Sequence, residues 1–213
     1  MKLGLIADIH GDSVALHKAL ALLQAQGVDQ VICAGDLVDK GQDAEGVVEI
    51  IQSQNIPCVL GNHDADACAD GFIFMERNER YGIEYSSEQD LSPALHAYLS
   101  TLPTSLKFEW AGKSIHLTHA CTWDQITYLF PTAEASLFER IVREAAADVV
   151  ILGHTHLPMI ATVKGCLLIN PGCVFYGYPE FRSTCAILSL PECTVTCFDV
   201  NTGAEIEPER VTL

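Results

Sequence analysis

Five short clusters in this chain carry groups that divalent metals favour: Asp8-Ile9-His10, Gly35-Asp36, Gly61-Asn62-His63-Asp64, Thr118-His119 and Gly153-His154-Thr155-His156. Carboxylate, imidazole and one amide in this order are the parts of a two-metal hydrolytic site. Such a site holds ions about 3.5–4 Å apart and clamps the attacking and leaving oxygens of a displacement at phosphorus. Any one cluster is weak evidence, because Asp-x-His and Gly-Asp recur by chance and a lone histidine is more often a hydrogen-bonded bystander. The ordered set is strong evidence.

Each residue type suggests a task. Asp36 is the best candidate for a carboxylate bridging two ions, placed by Gly35 where the backbone turns sharply at a strand end. Asp8 and His10 are expected to alternate along an extended segment and so to grip one ion from the same side. His154 and His156 share that spacing, with Thr155 pointing away. Asn62 offers a neutral oxygen, which leaves the site positive enough to draw phosphate. His63 diverges from its neighbour Asn62 and suits general-acid or oxyanion work on a leaving group. A carboxylate partner would orient its ring, and spacing alone does not choose between Asp39 and Asp64.

The elements that must position these groups follow from the apolar runs in front of them. Leu3–Ala7, Gln30–Ala34, Pro57–Leu60, Ser114–Leu117 and Asp148–Leu152 have the length and β-branched content of buried strands. Helical spacing runs from Ser13 to Gln26 and from Asp43 to Gln54, with Asp12 and Asp43 where helix N-termini favour carboxylates. This βαβαβ order predicts a parallel core, with the loops after the strands brought to one edge. A helix is expected from Ser92 to Leu102, a hairpin over Lys107–Thr118, and a helix from Ala133 to Ala147. Short strands follow at Met159–Val163, Cys166–Ile169, Ser183–Leu190 and Thr194–Val200. Parallel strands first and antiparallel strands later suggest two sheets packed face to face with helices outside.

At 213 residues, nearly half of them apolar, the chain suits a single domain spanning residues 1–213. Residues from about 65 to 105 change in character and are expected to form an insertion capping the site. The net charge of −16 argues against duplex nucleic acid as a partner. It leaves room for a small phosphorylated substrate, because two divalent ions would invert the local field. The nine cysteines include no Cys-x-x-Cys pair and are expected as reduced thiols. The chain shows no leader and no apolar run of about 18 residues, so a cytoplasmic protein with no membrane association is expected. Phe72, Phe74, Trp123, Tyr128 and Phe130 are candidates for lining a substrate pocket, although aromatic residues more often fill a core. Arg182 is a candidate phosphate contact. His17, His96 and His116 have no cluster around them and are expected to be structural or surface residues.

The set Asp-x-His, Gly-Asp-Leu-Val-Asp, Gly-Asn-His-Asp, Thr-His, Gly-His-Thr-His resembles the calcineurin-like metallophosphoesterase superfamily over Lys2 to about Gly172. Chain size and Asn170-Pro171-Gly172-Cys173 look most like its small prokaryotic phosphodiesterase branch, although that branch usually has serine at the last of these positions. The resemblance implies an α/β fold, a two-sheet αββα sandwich. It also implies two divalent ions (Mn²⁺, Fe²⁺/³⁺, Zn²⁺ or Ni²⁺), one held by Asp8, His10, Asp36 and His156 and the other by Asp36, Asn62, His119 and His154. A hydroxide between them would attack phosphorus, with Asp39 and His63 as a catalytic pair. The implied activity is hydrolysis of phosphodiesters of small molecules, with monoesters admitted by the histidine at position 63.

Two further readings come with that resemblance. A non-catalytic protein-binding scaffold shares the fold in a subunit of the retromer coat, but a scaffold has no need of His63 beside a full ligand set. Protein phosphatases and dinucleoside tetraphosphate hydrolases have Arg after the second aspartate and Glu after Gly-Asn-His, where this chain has Lys40 and Asp64. Lysine does not supply arginine's bidentate phosphate contact.

Overall fold

The computed structural model describes residues 1–68, 91–177 and 182–213. Its first elements are β1 (Lys2–Ile6), α1 (Ser13–Ala25), β2 (Gln30–Cys33) and α2 (Ala44–Ser53). Asp12 caps α1 by accepting the Ala15 N–H at 2.9 Å, and Asp43 caps α2 by accepting that of Gly46 at 3.0 Å. From these starts α1 buries Leu16, Leu20 and Leu23, and α2 buries Val47, Val48, Ile50 and Ile51. Burial at about 1.5–3 kcal/mol for each large apolar side chain docks both helices on the sheet. The fit over β1 is close, since a Cβ at Gly4 would stand 2.9 Å from Leu23 Cδ1.

The remaining elements are α3 (Asn62–Cys68), α4 (Pro93–Leu99), β3 (Ser105–Trp110), β4 (Lys113–Thr118), α5 (Ala135–Ala145), β5 (Val149–Ile151), β6 (Pro158–Val163), β7 (Cys166–Pro171), β8 (Thr184–Ser189), β9 (Thr194–Asp199), β10 (Glu205–Ile206) and β11 (Glu209–Thr212). They form a five-stranded sheet in the order β10-β9-β8-β1-β2 and a six-stranded sheet in the order β11-β6-β7-β5-β4-β3. Side chains alternate across each strand. Leu3, Leu5, Ile32 and Leu188 therefore meet Ile115, Leu117, Val149 and Ile151 between the sheets. Ile6, Cys33 and Ile187 face α1, α2 and α4 on one outer side. Val150, Met159 and Leu168 face Phe138 and Ile141 of α5 on the other. The result is an αββα sandwich.

The sheets are less segregated than the strand order suggests. β1 runs parallel to β2 but antiparallel to β8. β5 runs parallel to β4 and β7, β6 antiparallel to β7, and β11 parallel to β6. Late strands return to both sheets, and such long-range pairing leaves no local signature in the sequence. The run Pro57–Leu60 forms no strand beyond the isolated bridge of Cys58 with Cys33. α3, β10 and β11 are additions to the expected elements, and the helix expected over Ser92–Leu102 is confined to Pro93–Leu99, capped by Ser92 through the Leu95 N–H at 3.2 Å.

Of the segment expected to cap the site, residues 69–90, with Asp70, Phe72, Phe74, Met75 and Tyr81, lie outside the described residues. All nine cysteines are free thiols, as expected. Among the described residues no helix is long and apolar enough to cross a membrane.

Candidate metal centre

The clusters converge where strands end. Asp8 and His10 follow β1, Asp36 follows β2, His119 follows β4, His154 and His156 follow β5, and Asn62 and His63 open α3. Their ligand atoms fall into three overlapping groups: Asp8 with His10 and His156, His10 with Asp36 and His63, and Asp36 with His119 and His154. Within each group the atoms lie within 4.8 Å of one another. Asn62 joins the last group through its Oδ1, 2.9 Å from His119 Nε2. All nine residues named from the sequence, seven as ligands and two as a catalytic pair, thus meet at one end of the sandwich.

The backbone there differs from the expected extended alternation. Asp8, His10, Asp36, His154 and His156 have φ of 54°, 49°, 56°, 69° and 61°, and Asp39 and Lys40 have 73° and 65°. Left-handed backbone at non-glycine residues costs about 1–3 kcal/mol each and persists only where the surroundings over-determine it. Here the loop after β1 is laced to the loop after β2. The Asp8 N–H donates to Gly35 O at 3.0 Å, the Ile9 and His10 N–H groups to Asp36 O at 2.8 and 3.0 Å, and that of Gly11 to Leu37 O at 2.8 Å. The same curvature assigns His154 and His156 to different groups, whereas extended chain would turn both imidazoles one way.

Asp64 shapes the second loop. It is fully buried and accepts the backbone N–H groups of Asp36 (2.9 Å), Leu37 (2.8 Å), Val38 (3.2 Å) and Gly61 (3.0 Å). Burial, with the charge of Asp36, pushes its carboxyl up to about 6 against the pull of those bonds. Asp39 takes the other task, its Oδ2 accepting from His63 Nδ1 at 2.7 Å.

The third brace went unrecognised in the sequence. Asn170 Nδ2 donates to Gly153 O at 2.7 Å and to Thr155 Oγ1 at 3.0 Å, and Cys173 Sγ donates to Asp8 O at 3.0 Å. Position within Asn-Pro-Gly-Cys was the only available signal. Arg182 is exposed and belongs to none of the ligand groups found among the described residues. His116 is a buried residue of β4, away from these groups.

The rings are oriented from behind. His119 Nδ1 donates to Ala34 O at 2.6 Å, and His10 Nδ1 lies 3.3 Å from Val38 O, so both present Nε2 inward. His154 Nε2 lies 3.2 Å from Ile126 O, which leaves its Nδ1 inward. Backbone acceptors of this kind fix the tautomer of metal-binding histidines. Burial, reinforced by the Lys40 ammonium, holds His10 well below the usual imidazole range. Burial and the charge of His119 take His154 down to about 3. Both rings are therefore neutral, and the unprotonated Nε2 of His10 lies 3.3 Å from the Lys40 ammonium. Burial also opposes a charge on His119, but Asp36 overrides it and raises that ring to about 9.

Asp36 gives the test of fit. Burial disfavours its carboxylate, yet His119, His63 and His10 outweigh that and hold it well below the usual range. Its Oδ1 accepts the His63 backbone N–H at 2.9 Å, while the buried Oδ2 makes no hydrogen bond of ordinary geometry among the described residues. Nε2 atoms of His119, His10 and His63 stand 3.3, 3.9 and 3.9 Å from it. A buried anionic oxygen ringed by imidazole nitrogens suits divalent cations of the borderline class that takes mixed N/O ligands.

Comparison with known proteins agrees. A family model described as the calcineurin-like phosphoesterase superfamily domain matches residues 1–192. A phosphodiesterase of Methanocaldococcus jannaschii is 27% identical over 172 residues, covering 81% of this chain and 83% of the relative. An uncharacterized protein of the same organism is 27% identical over 181 residues, covering 81% of this chain and 70% of its own. The crystal structure of a hypothetical protein from Pyrococcus horikoshii superposes with a TM-score of 0.77 at 18% identity, over 98% of this chain and 88% of the other, and shares the fold.

Proposed function

The chain belongs to the calcineurin-like phosphoesterase superfamily of hydrolases, and on that premise we propose that it is a two-metal phosphodiesterase acting on small phosphorylated molecules, with monoesters as secondary substrates. The observation that carries the reading is the buried carboxylate of Asp36, shared by two of the three ligand groups, with its Oδ2 faced by the Nε2 atoms of His119, His10 and His63. Asp8, His10, Asp36 and His156 would hold one ion, and Asp36, Asn62, His119 and His154 the other. When bound, such ions supply positive charge to the phosphoryl oxygens and acidify an attacking water.

The chain's own residues supply orientation and proton transfer. With Nδ1–H of His63 committed to Asp39, Nε2 is the atom that handles the proton, and it faces the Asp36 side of the cluster at 3.9 Å. It delivers that proton to the departing alkoxide, a step for which a positioned general acid contributes about 10²–10⁴-fold. Asp39 positions the ring and does not touch substrate. The homologous phosphodiesterase supports the diester assignment. A single domain capped by residues from about 65 to 105 belongs to the same proposal.

The test is hydrolysis of bis-p-nitrophenyl phosphate and p-nitrophenyl phosphate with added Mn²⁺ or Ni²⁺, with and without chelator. Metal-dependent turnover, faster on the diester, is expected. No turnover of either ester would overturn the reading.

A further inference from the structure

Two of the free cysteines, Cys33 and Cys58, are set side by side by the backbone. Cys33 ends β2, and Cys58 is bridged to it in parallel: the Cys33 N–H donates to Pro57 O at 2.9 Å, and the Val59 N–H donates to Cys33 O at 3.2 Å. Residues paired in this way send their side chains to the same face of a sheet. Both thiols are buried in the core on the side of α1, α2 and α4, in hydrogen-bonding contact with each other. Cys33 precedes Asp36 by three residues, and Cys58 precedes Asn62 by four. The pair therefore sits at the root of both loops that present those groups.

Paired strands run about 4.7–4.9 Å apart. That separation lies within the span of about 4.4–6.8 Å between the Cα atoms of a disulfide, but short of its usual value of about 5.5–6 Å. Closing a bond between these sulfurs therefore pushes the two segments apart by about 1 Å. Above the cysteines the loops have no slack. A Cβ at Gly35 would stand 2.7 Å from Gly61 N, and Asp36 Oδ1 accepts the His63 N–H at 2.9 Å. A spread at the root is thus passed on to the distance between Asp36 and Asn62. Burial also pushes the Cys58 thiol well above its ordinary range, so thiolate is scarce and the oxidant must be small enough to enter the core.

We propose that Cys33 and Cys58 form a reversible disulfide site, closed by hydrogen peroxide and opened by small thiols, whose closure weakens the hold of Asp36 and Asn62 on their ion. The consequence rests on the metal-centre reading, and the bond itself does not. One thiolate attacks a peroxide oxygen, the O–O bond breaks, and hydroxide departs to leave a sulfenic acid. The second sulfur then attacks the first, and the S–O bond breaks with loss of water. Two thiols lose two protons and two electrons, and one peroxide becomes two waters. A strained bond of this kind is readily reduced by thiol exchange, which makes the step reversible.

The full chain, stripped of metal, is treated with hydrogen peroxide, desalted, digested without reduction and mapped by mass spectrometry. The expected product is a pair of peptides joined through Cys33 and Cys58, lighter by two hydrogens than the two thiol peptides together. Calorimetric titration of the undigested sample with Mn²⁺ should show one ion bound about tenfold more weakly than by the untreated protein, the scale of a disturbed ligand support. Treatment with dithiothreitol followed by desalting should restore the affinity. Cys33→Ala and Cys58→Ala, checked for folding by circular dichroism, should keep their Mn²⁺ affinity through peroxide. Every other cysteine remains in both variants, so a fall in their affinity would place the effect elsewhere and overturn the proposal. No joined peptides, or a mapped Cys33–Cys58 bond that leaves Mn²⁺ affinity unchanged in the wild-type chain, would overturn it as well. Absence of Mn²⁺ binding by the reduced protein, with the bond mapped, would overturn the metal-centre reading and leave the disulfide site standing.

Discussion

Asp64 accepts the backbone N–H of Asp36 at 2.9 Å, so of these two aspartates from neighbouring loops, one faces the cluster and the other builds the turn that presents it. The two carboxylates are held close together, Asp64 by four backbone N–H groups and Asp36 by the His63 N–H and the imidazoles around it.

That relationship predicts the behaviour of Asp64→Asn. An amide can still accept from part of the loop but turns an NH₂ toward the remaining N–H donors. Relief of repulsion from Asp36 opposes this loss. With about 1.5–3 kcal/mol for each hydrogen bond to a charged acceptor, the loss of two bonds is the larger effect. Denaturant unfolding of the metal-free variant should show a loss of about 2–4 kcal/mol. Unchanged stability would show that the four bonds do not hold the loop.

His63 and Asp39 should separate chemistry from metal binding. His63→Ala should lower kcat by about 10²–10⁴ with metal content unchanged, and Asp39→Asn should lower it less, because the ring remains but loses its fixed tautomer. Because His63 also lies within reach of His10 and Asp36, elemental analysis decides the matter. A His63→Ala protein lacking one ion would make that ring a ligand.

Gly61 admits no side chain. A Cβ there would stand 2.0 Å from Asp36 Oδ1 and 2.3 Å from Asp36 N, and backbone cannot yield by that much at small cost. Gly61→Ala should therefore mimic Asp36→Asn, with metal and activity lost together, although no ligand has been changed. Normal metal content in Gly61→Ala would contradict the close approach of the two loops.

Metal uptake should release a proton from His119. In the metal-free protein Asp36 keeps that ring protonated up to about 9, against an ordinary value of 6.5, and a metal takes only the neutral ring. At neutral pH, calorimetric heats in buffers of different ionisation enthalpy should differ by about one proton per ion bound at this ring. Affinity should rise about tenfold per pH unit until about 9 and then level. The sign for metal-free stability is opposite. The raised His119 value contributes fully below 6.5 and is lost as pH rises through about 9. His119→Gln should abolish both trends.

Much of this site was legible in the sequence, for a physical reason. Strand ends marked by Gly-Asp or Gly-His are local features, and Asp12 and Asp43 announce their helices by a hydrogen bond three residues away. What stayed hidden depends on distance through space. Asp64 adjoins His63 in sequence whereas Asp39 lies 24 residues away, and only the folded loops show that Asp39 is the one that reaches its ring. The left-handed backbone at His154 and His156 escaped notice because spacing of two residues reads as extended chain. The sheets' mixed pairing and the brace from Asn170 join positions far apart in the chain.

Asp8 and Asp36 hang from the five-stranded sheet, and His119, His154 and His156 from the six-stranded one. The cluster therefore spans the seam between the two layers and acts as a gauge of their alignment. A repacking change deep between the sheets, at Leu117 or Leu188, would be read out at the centre as altered distances among the ligand atoms, even though no residue near the centre had been touched.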